Sequence, residues 1–444
     1  NTYYMKKIDL TTGRELTVIS ALALPLVGTS LLQFLYSFID MLFVGALGSE
    51  AIAAVGSASF FVNLGYSIQA IIVVGGGIKL AHSMGSKNEK QQLSYIGSSI
   101  LLNTIIGLIT IFVLFLFGHQ ILGFLDLNNA KVQQQAYEYL AVSGIMLFFS
   151  YYNLFFIRMF SSFGNNKQSF YISALGIVLN IALDPLFIYY FDFGVMGAAM
   201  ASVIAQIIMF ILFVYISRKV LFNKELTLIN IKHSLEIMRL GLPMSIQRVL
   251  FTAINILLAK MITSYGTEAL AAQKIGLQIE SVTFIVMGAL NGAVGSFIGQ
   301  NFGAGNFKRI KNGYSVSMML AISYALVISL LFVIFSEQLP RLFTDDQKTI
   351  EITSSYLIII GLSQIFMAME MISNGVFSGI GLPKIPSIIS IVFTTIRIPL
   401  AYMLLPIVGL EGIWWSIAIS SILKGVVAII IFQIVYRRRF KYEH

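Results

Sequence analysis

Twelve apolar stretches, each about 20 residues or longer, follow one another between residues 15 and 436. A stretch of that length crosses a hydrocarbon core of about 30 Å as a helix. The expected fold class is therefore an all-α polytopic membrane protein with 12 transmembrane helices. Composition agrees: 57% of the chain is hydrophobic and only 11% is charged, against about 25% charged in a soluble domain.

The net charge of +9 is explained by topology, not by a nucleic acid. The basic residues fall in alternate loops: Lys6, Lys7 and Arg14; Lys87 and Lys90; Lys167; Arg218, Lys219, Lys224, Lys232 and Arg239; Lys308, Arg309 and Lys311; Lys384; and Arg437, Arg438, Arg439 and Lys441. The intervening loops hold little beyond Lys131, Arg341 and Lys348. The positive-inside rule then puts both termini in the cytoplasm of a multi-pass protein of the cell inner (plasma) membrane.

Several chemistries are excluded early. There is no cysteine, hence no disulfide scaffold, thiol nucleophile or Cys-based metal site. The four histidines, His82, His119, His233 and His444, are scattered singly, so neither haem nor zinc is expected. No G-x-x-x-x-G-K-[ST] run is present, so there is no P-loop. The chain is expected not to be an enzyme and to need no cofactor. Any uphill transport must then draw on an ion gradient.

Twelve spans divide into two similar sixes. A shift of 218 residues carries Leu24-Pro25 onto Leu242-Pro243, and Gly48-Ser49-Glu50-Ala51-Ile52-Ala53-Ala54 onto Gly266-Thr267-Glu268-Ala269-Leu270-Ala271-Ala272. It also matches Gly77 with Gly295, Gly85 with Gly303, Asn88 with Asn306, and Lys90 with Lys308. A shift of 217 aligns Phe160–Lys167 with Phe377–Lys384. The matches include polar loops, where apolar composition does not force them. Six spans per repeat is even, so both halves insert in the same sense, related by a pseudo-twofold axis along the membrane normal. The expected organisation is an N-terminal six-helix lobe over 1–217, a cytoplasmic linker over 218–239 and a C-terminal six-helix lobe over 240–444, acting as a monomer.

Asp40 is a lone carboxylate within the apolar stretch Thr17 to Ala46. An acid near the bilayer centre costs about 2.5–3.5 kcal/mol on insertion scales, so it marks a proton or ion site by default. Tyr36 stands four residues before it. In the fifth span Asn180 and Asp184 have the same spacing and share one helical face. The sixth span opens GVMGAAMAS, whose small residues permit close packing and which offers Ser202. Two acids, an amide and two hydroxyls suit one proton or one small cation. Two carboxylates in a low-dielectric cavity do not both ionise cheaply, so one is placed to take up and release a proton. Gln33 and Asn153 join Asp40 and Asn180 as candidates for holding a substrate. Pro25 interrupts the hydrogen-bond ladder of the first span and marks a hinge on the helix that carries Asp40.

The second half lacks this set: Asp40 falls on Leu258, and Asn180 and Asp184 on Arg397 and Ala401. It carries Arg248, Lys274, Glu280, Glu370 and Arg397 in or near its spans, some of them expected to pair. Ion coupling is therefore expected in the first half. The chain also has 18 Met and 35 Phe, flexible and aromatic groups that suit a pocket for varied apolar cations.

Asp40, Asn180-x-x-x-Asp184-Pro185, GVMGAAMAS and the six-plus-six duplication together resemble the multidrug and toxic compound extrusion (MATE) transporters, over essentially the whole chain. Within them the chain looks most similar to the DinF branch. The resemblance implies export of lipophilic, cationic, amphipathic drugs in exchange for protons or sodium, with Asp40 as the coupling site. Tyr36, Asn180, Asp184 and Ser202 would surround it. Family members often have threonine where Ser202 stands, and the hydroxyl is kept. Sodium-coupled members of the NorM branch carry a glutamate about eight residues after the Gly-x-Pro of the seventh span. Here Gly241-Leu242-Pro243 is followed there by Phe251, which favours protons. Sodium held by Asp40, Asn180 and Asp184 is the alternative, and no other metal is expected. A lipid or lipid-linked precursor flippase, with Arg248 and Arg397 for a phosphate, is the rival function.

Overall fold

A span of apolar residues satisfies its backbone groups internally only as a helix or in a closed barrel, and the described residues contain helices and no strand. The structure, a computed structural model, describes residues 8–123, 129–226 and 230–440. The helices are α1 (Glu15–Gly45), α2 (Ser49–Gly85), α3 (Glu89–Gly123), α4 (Ala130–Ser162), α5 (Asn166–Pro185), α6 (Gly194–Leu221), α7 (Ile231–Thr263), α8 (Thr267–Gly303), α9 (Phe307–Ile334), α10 (Gln347–Gly379), α11 (Lys384–Thr395), α12 (Arg397–Val408) and α13 (Glu411–Phe440). Among the described residues, twelve segments are long and apolar enough to cross a membrane, with α11 and α12 together forming one, Lys384–Val408.

The duplication is written into local backbone geometry. Gly48 and Gly266 precede α2 and α8 with the same φ of 107°, and Gly164 and Gly381 have φ of 71° and 80°. Lys87 (φ 54°) occupies the position matched by Gly305 (φ 73°), so one repeat holds a left-handed turn without glycine. Side chains repeat as well. Lys131 pairs with Glu50 at 2.7 Å and Lys348 with Glu268 at 3.6 Å. Asn129 and Asp346 cap α4 and α10 with their side-chain oxygens, and the two Thr349 donors hold the Asp346 carboxyl below the usual carboxylate range.

The chain folds into two compact units. The first holds Leu24–Ser245 with the described residues up to Thr12, and its core is a run of packed aromatics on α4 and α6, including Phe155, Phe156, Phe160 and Phe213. The second holds Ile246–His444 and also Gly13–Ala23, around Tyr356, Trp414 and the aliphatics of α7, α10 and α13. These limits differ from the lobes and linker expected at 1–217, 218–239 and 240–444. Residues 218–221 complete α6, α7 begins at Ile231 and counts with the first unit up to Ser245, and the first turns of α1 count with the second. The reason is packing. A Cβ on Gly75 of α2 would overlap the Ile237 carbonyl, and one on Gly241 of α7 would overlap the Ile71 carbonyl. Paired glycines thus let α2 and α7 meet backbone to backbone, as small residues do in membranes.

Candidate functional site

All five residues expected to couple ions lie in the first unit. Pro185 has no N–H to continue the α-ladder of α5. The chain responds with a wider π-turn, Leu186–Tyr190, closed by Phe191 N–H donating to the Leu186 carbonyl at 2.9 Å. Such turns concentrate at functional sites. Because the helix continues past Pro185, Asp184 is not left at a solvated end: it is fully buried.

The π-turn is gripped from two sides. Gly197 of α6 lies so close that an added Cβ would sit 2.6 Å from the Phe187 carbonyl oxygen. Tyr189 donates its hydroxyl to the Phe43 carbonyl of α1 at 2.6 Å, with the two rings edge to face. These approaches bring α1, α5 and α6 together. Ser202 is the junction. Its Oγ is 3.0 Å from the Tyr36 hydroxyl and accepts from Asn180 Nδ2 at 3.2 Å.

The acids themselves are open. Both Asp184 oxygens, Asp40 Oδ1 and Asn180 Oδ1 are buried without a hydrogen-bond partner. No ion pair reaches either carboxylate among the described residues, and the two lie within electrostatic reach of each other. A buried acceptor left unmade costs about 1–3 kcal/mol, so a proton or a cation on these oxygens would relieve that cost. Tyr139 of α4 is a further neighbour, within electrostatic reach of both acids and of Tyr66. Nothing in the sequence singles out Tyr139. It is one of 20 tyrosines, with no spacing to set it apart.

The candidate substrate residues are more dispersed. Gln33 is exposed on α1. Asn153 is buried and donates to the Gln206 side chain at 2.7 Å and to the Gln206 carbonyl at 2.9 Å. Pro25 lies inside a continuous α1, with the Thr29 hydroxyl donating to its carbonyl at 3.0 Å. No group of three His, Cys, Asp or Glu side chains able to hold a metal occurs among the described residues.

The second unit compensates its buried charges instead of leaving them open. Lys424 and Glu370 pair at 3.0 Å, each 6% exposed. Glu280 accepts from the Tyr356 hydroxyl at 2.7 Å and from Gln364 at 3.1 Å. Arg397 donates to Ser420 at 2.6 Å and lies over the Phe251 ring. Arg248 and Lys274 are exposed. Lys424, a lone base within the last apolar stretch, is the same kind of signal as Asp40, one that the charges named above leave out.

Comparison with known proteins adds to this geometry. The sequence profile of the MatE family matches residues 25–186 and 243–403, one match in each repeat. The probable multidrug resistance protein NorM of Thermotoga maritima is 28% identical over 426 residues, 93% of this chain and 90% of that protein. The multidrug export protein MepA of Staphylococcus aureus is 26% identical, covering 92% and 91%. Among solved structures, a variant of the Vibrio cholerae MATE transporter VcmN superposes with a TM-score of 0.90 at 21% identity, covering 97% of this chain and 99% of that one. A MATE crystallised in a bent conformation gives 0.89 at 21%, covering 99% and 98%.

Proposed function

This chain belongs to the MatE family, and from that membership we propose that it is a secondary antiporter which exports cationic amphipathic compounds in exchange for protons. It would act in the plasma membrane with both termini cytoplasmic. The observation that carries the reading is the pair of neighbouring carboxylates, the buried Asp184 and the half-buried Asp40, of which both Asp184 oxygens and Asp40 Oδ1 are buried without a hydrogen-bond donor. A proton on one of them removes a charge that is expensive in this setting, and an arriving drug cation supplies the same compensation. The two ligands therefore compete, and binding of one favours release of the other. Tyr36, Asn180 and Ser202 hold the helices that carry the acids at one spacing, so the exchange is transmitted to α1.

Two relatives bear names that speak of multidrug resistance or export, which supports drugs as cargo. In the second unit Arg397 donates to Ser420 and lies within electrostatic reach of Glu280 and Glu370, the latter paired with Lys424, so two positive and two negative groups balance. That neutral setting argues against a phosphate cradle and so against a flippase.

The test uses purified protein in vesicles with a fluorescent lipophilic cation outside and a pH-sensitive dye inside. Adding the cation should move protons without any requirement for sodium. Efflux that needs sodium and ignores an abolished pH gradient would replace protons with sodium at the same carboxylates.

A further inference from the structure

From Tyr139 a series of polar side chains leads away from the acids, along the interior that α2, α3 and α4 share within the first unit. Tyr139 lies within electrostatic reach of Tyr66 as well as of both acids. Tyr66 donates its hydroxyl to Ser150 at 3.3 Å, about 16 Å farther along α4 than Tyr139 at 1.5 Å per residue. One turn on from Tyr66, the buried Gln69 donates to the Tyr151 carbonyl at 3.0 Å. Asn103 and Ser99, four residues apart and so on one face of α3, come next. Gly76 of α2 leaves room for the Ser99 hydroxyl, which lies 2.7 Å from where a Cβ would stand. The series ends where Tyr95 donates to Glu236 at 2.7 Å, on a carboxylate that is 29% exposed.

Two observations say that this column is there for a purpose other than packing. Both amide atoms of Asn103 and the hydroxyls of Ser98 and Ser99 are buried without a hydrogen-bond partner. Such groups destabilise a fold when left dry, and several together hold water. The second observation is the other repeat. The 218-residue shift carries Tyr66 onto Phe284, Gln69 onto Met287 and Asn103 onto Ala321, and the 217-residue shift carries Ser150 onto Met367. Met287, Ala321 and Met367 are buried, so the same helices pack with apolar side chains at those levels. Only Ser99 keeps a polar match among these interior positions, Ser317. The column thus belongs to the repeat that carries the two acids.

We propose that the column is a proton path separate from the route of the cargo, leading from Asp40 and Asp184 through the first unit to Glu236. Glu236 lies at the helix end that the basic loops assign to the cytoplasm. The proton moves by relay. Each hydroxyl or held water takes a proton on its oxygen as its own O–H proton passes to the next. The acid loses one proton, cytoplasmic water gains one, and the hydroxyls then turn back. Asn103 relays nothing itself; its donor and acceptor fix the water between the Ser150 level and Ser99. A drug cation cannot follow, because Ile72, Phe155 and Phe156 pack closely around the column. A proton can therefore reach the cytoplasm without a passage wide enough for cargo.

The inference rests on the transport reading, and its test separates the two. The chain has no cysteine, so an introduced thiol reports on water at its own position. Ser99→Cys and Ser317→Cys are matched, buried and nearly isosteric. Each is exposed to Ag+, which travels along narrow water paths and blocks thiols, and the blocked fraction is read by mass after maleimide treatment in denaturant. Ser99→Cys should be blocked at least tenfold faster than Ser317→Cys. Equal rates overturn the water column, whether or not the chain exports anything. In vesicles, Tyr66→Phe removes one hydroxyl, and Asn103→Leu keeps volume while removing both amide atoms. Each should slow cation-driven proton movement at least tenfold, with the equilibrium Kd for the cation and its pH slope within twofold of the parent. The acids are untouched, so binding is kept while delivery fails. Where one variant loses cation binding, the other decides. Proton movement at the parent rate in a variant that still binds overturns the path. A parent that exchanges no cation would instead remove the transport reading, and the silver rates would still decide the column.

Discussion

At the scale of single residues, the site is defined by what its oxygens lack. Asp184 is buried with two open oxygens, whereas Glu280, equally buried, has two donors. Asp40→Asn and Asp184→Asn keep shape and remove the exchangeable proton, so each should cut substrate-driven proton movement at least tenfold at normal expression. Their double variant should be no worse than either single, as expected for one network. Independent, additive losses would mean two sites. Ser202→Thr should preserve export because the hydroxyl stays between Tyr36 and Asn180. Ser202→Ala should raise the apparent Kd for the cation several-fold, since it removes the acceptor that Asn180 uses, at a net cost of about 1 kcal/mol for a lost hydrogen bond. Equal Kd for the two variants, measured by fluorescence titration, would deny Ser202 its bridging role.

At the scale of elements, glycines decide which helices touch. Gly75→Ala and Gly241→Ala each place a methyl on a neighbouring carbonyl, and overpacking of that kind costs about 1–3 kcal/mol. Both should lower the thermal midpoint in detergent, while Ala293→Gly in the other repeat should leave it within a few degrees. A Gly75→Ala chain as stable as the parent would mean that α2 and α7 are free to spread. This scale also separates what the sequence discloses from what it conceals. The spans were legible because hydrocarbon demands long apolar runs, and the coupling residues were legible because Asp40 is alone in one and Asn180 and Asp184 share a face in another. The turn after Asp184 was not: a proline there reads equally well as a helix end, and only Gly197 and Tyr189, distant in sequence, hold it as a continuing π-turn. The assignment of α7's first turns was hidden for the same reason, since Gly241 acts through Ile71, about 170 positions away.

At the scale of the molecule, the asymmetry between the repeats sets the direction of linkage between drug and proton. Open acids occur in the first unit and compensated charges in the second, so one carboxylate pair should govern the pH response. Each proton bound there cancels a negative charge that the drug cation would otherwise use. Lowering pH therefore weakens cation binding, and raising it strengthens binding until the pair is fully ionised. With one proton displaced per cation, Kd should rise by about tenfold per pH unit on the acid side of the transition. Asp184→Asn should flatten that slope, and Glu280→Gln should leave it unchanged, because Glu280 is held by Tyr356 and Gln364 within the second unit. Titration of a lipophilic cation against parent and variants across pH 5 to 8.5 measures this directly. A parent slope near zero would detach the proton from the binding step. A slope lost in Glu280→Gln but kept in Asp184→Asn would move coupling into the second unit, against the geometry from which it is derived.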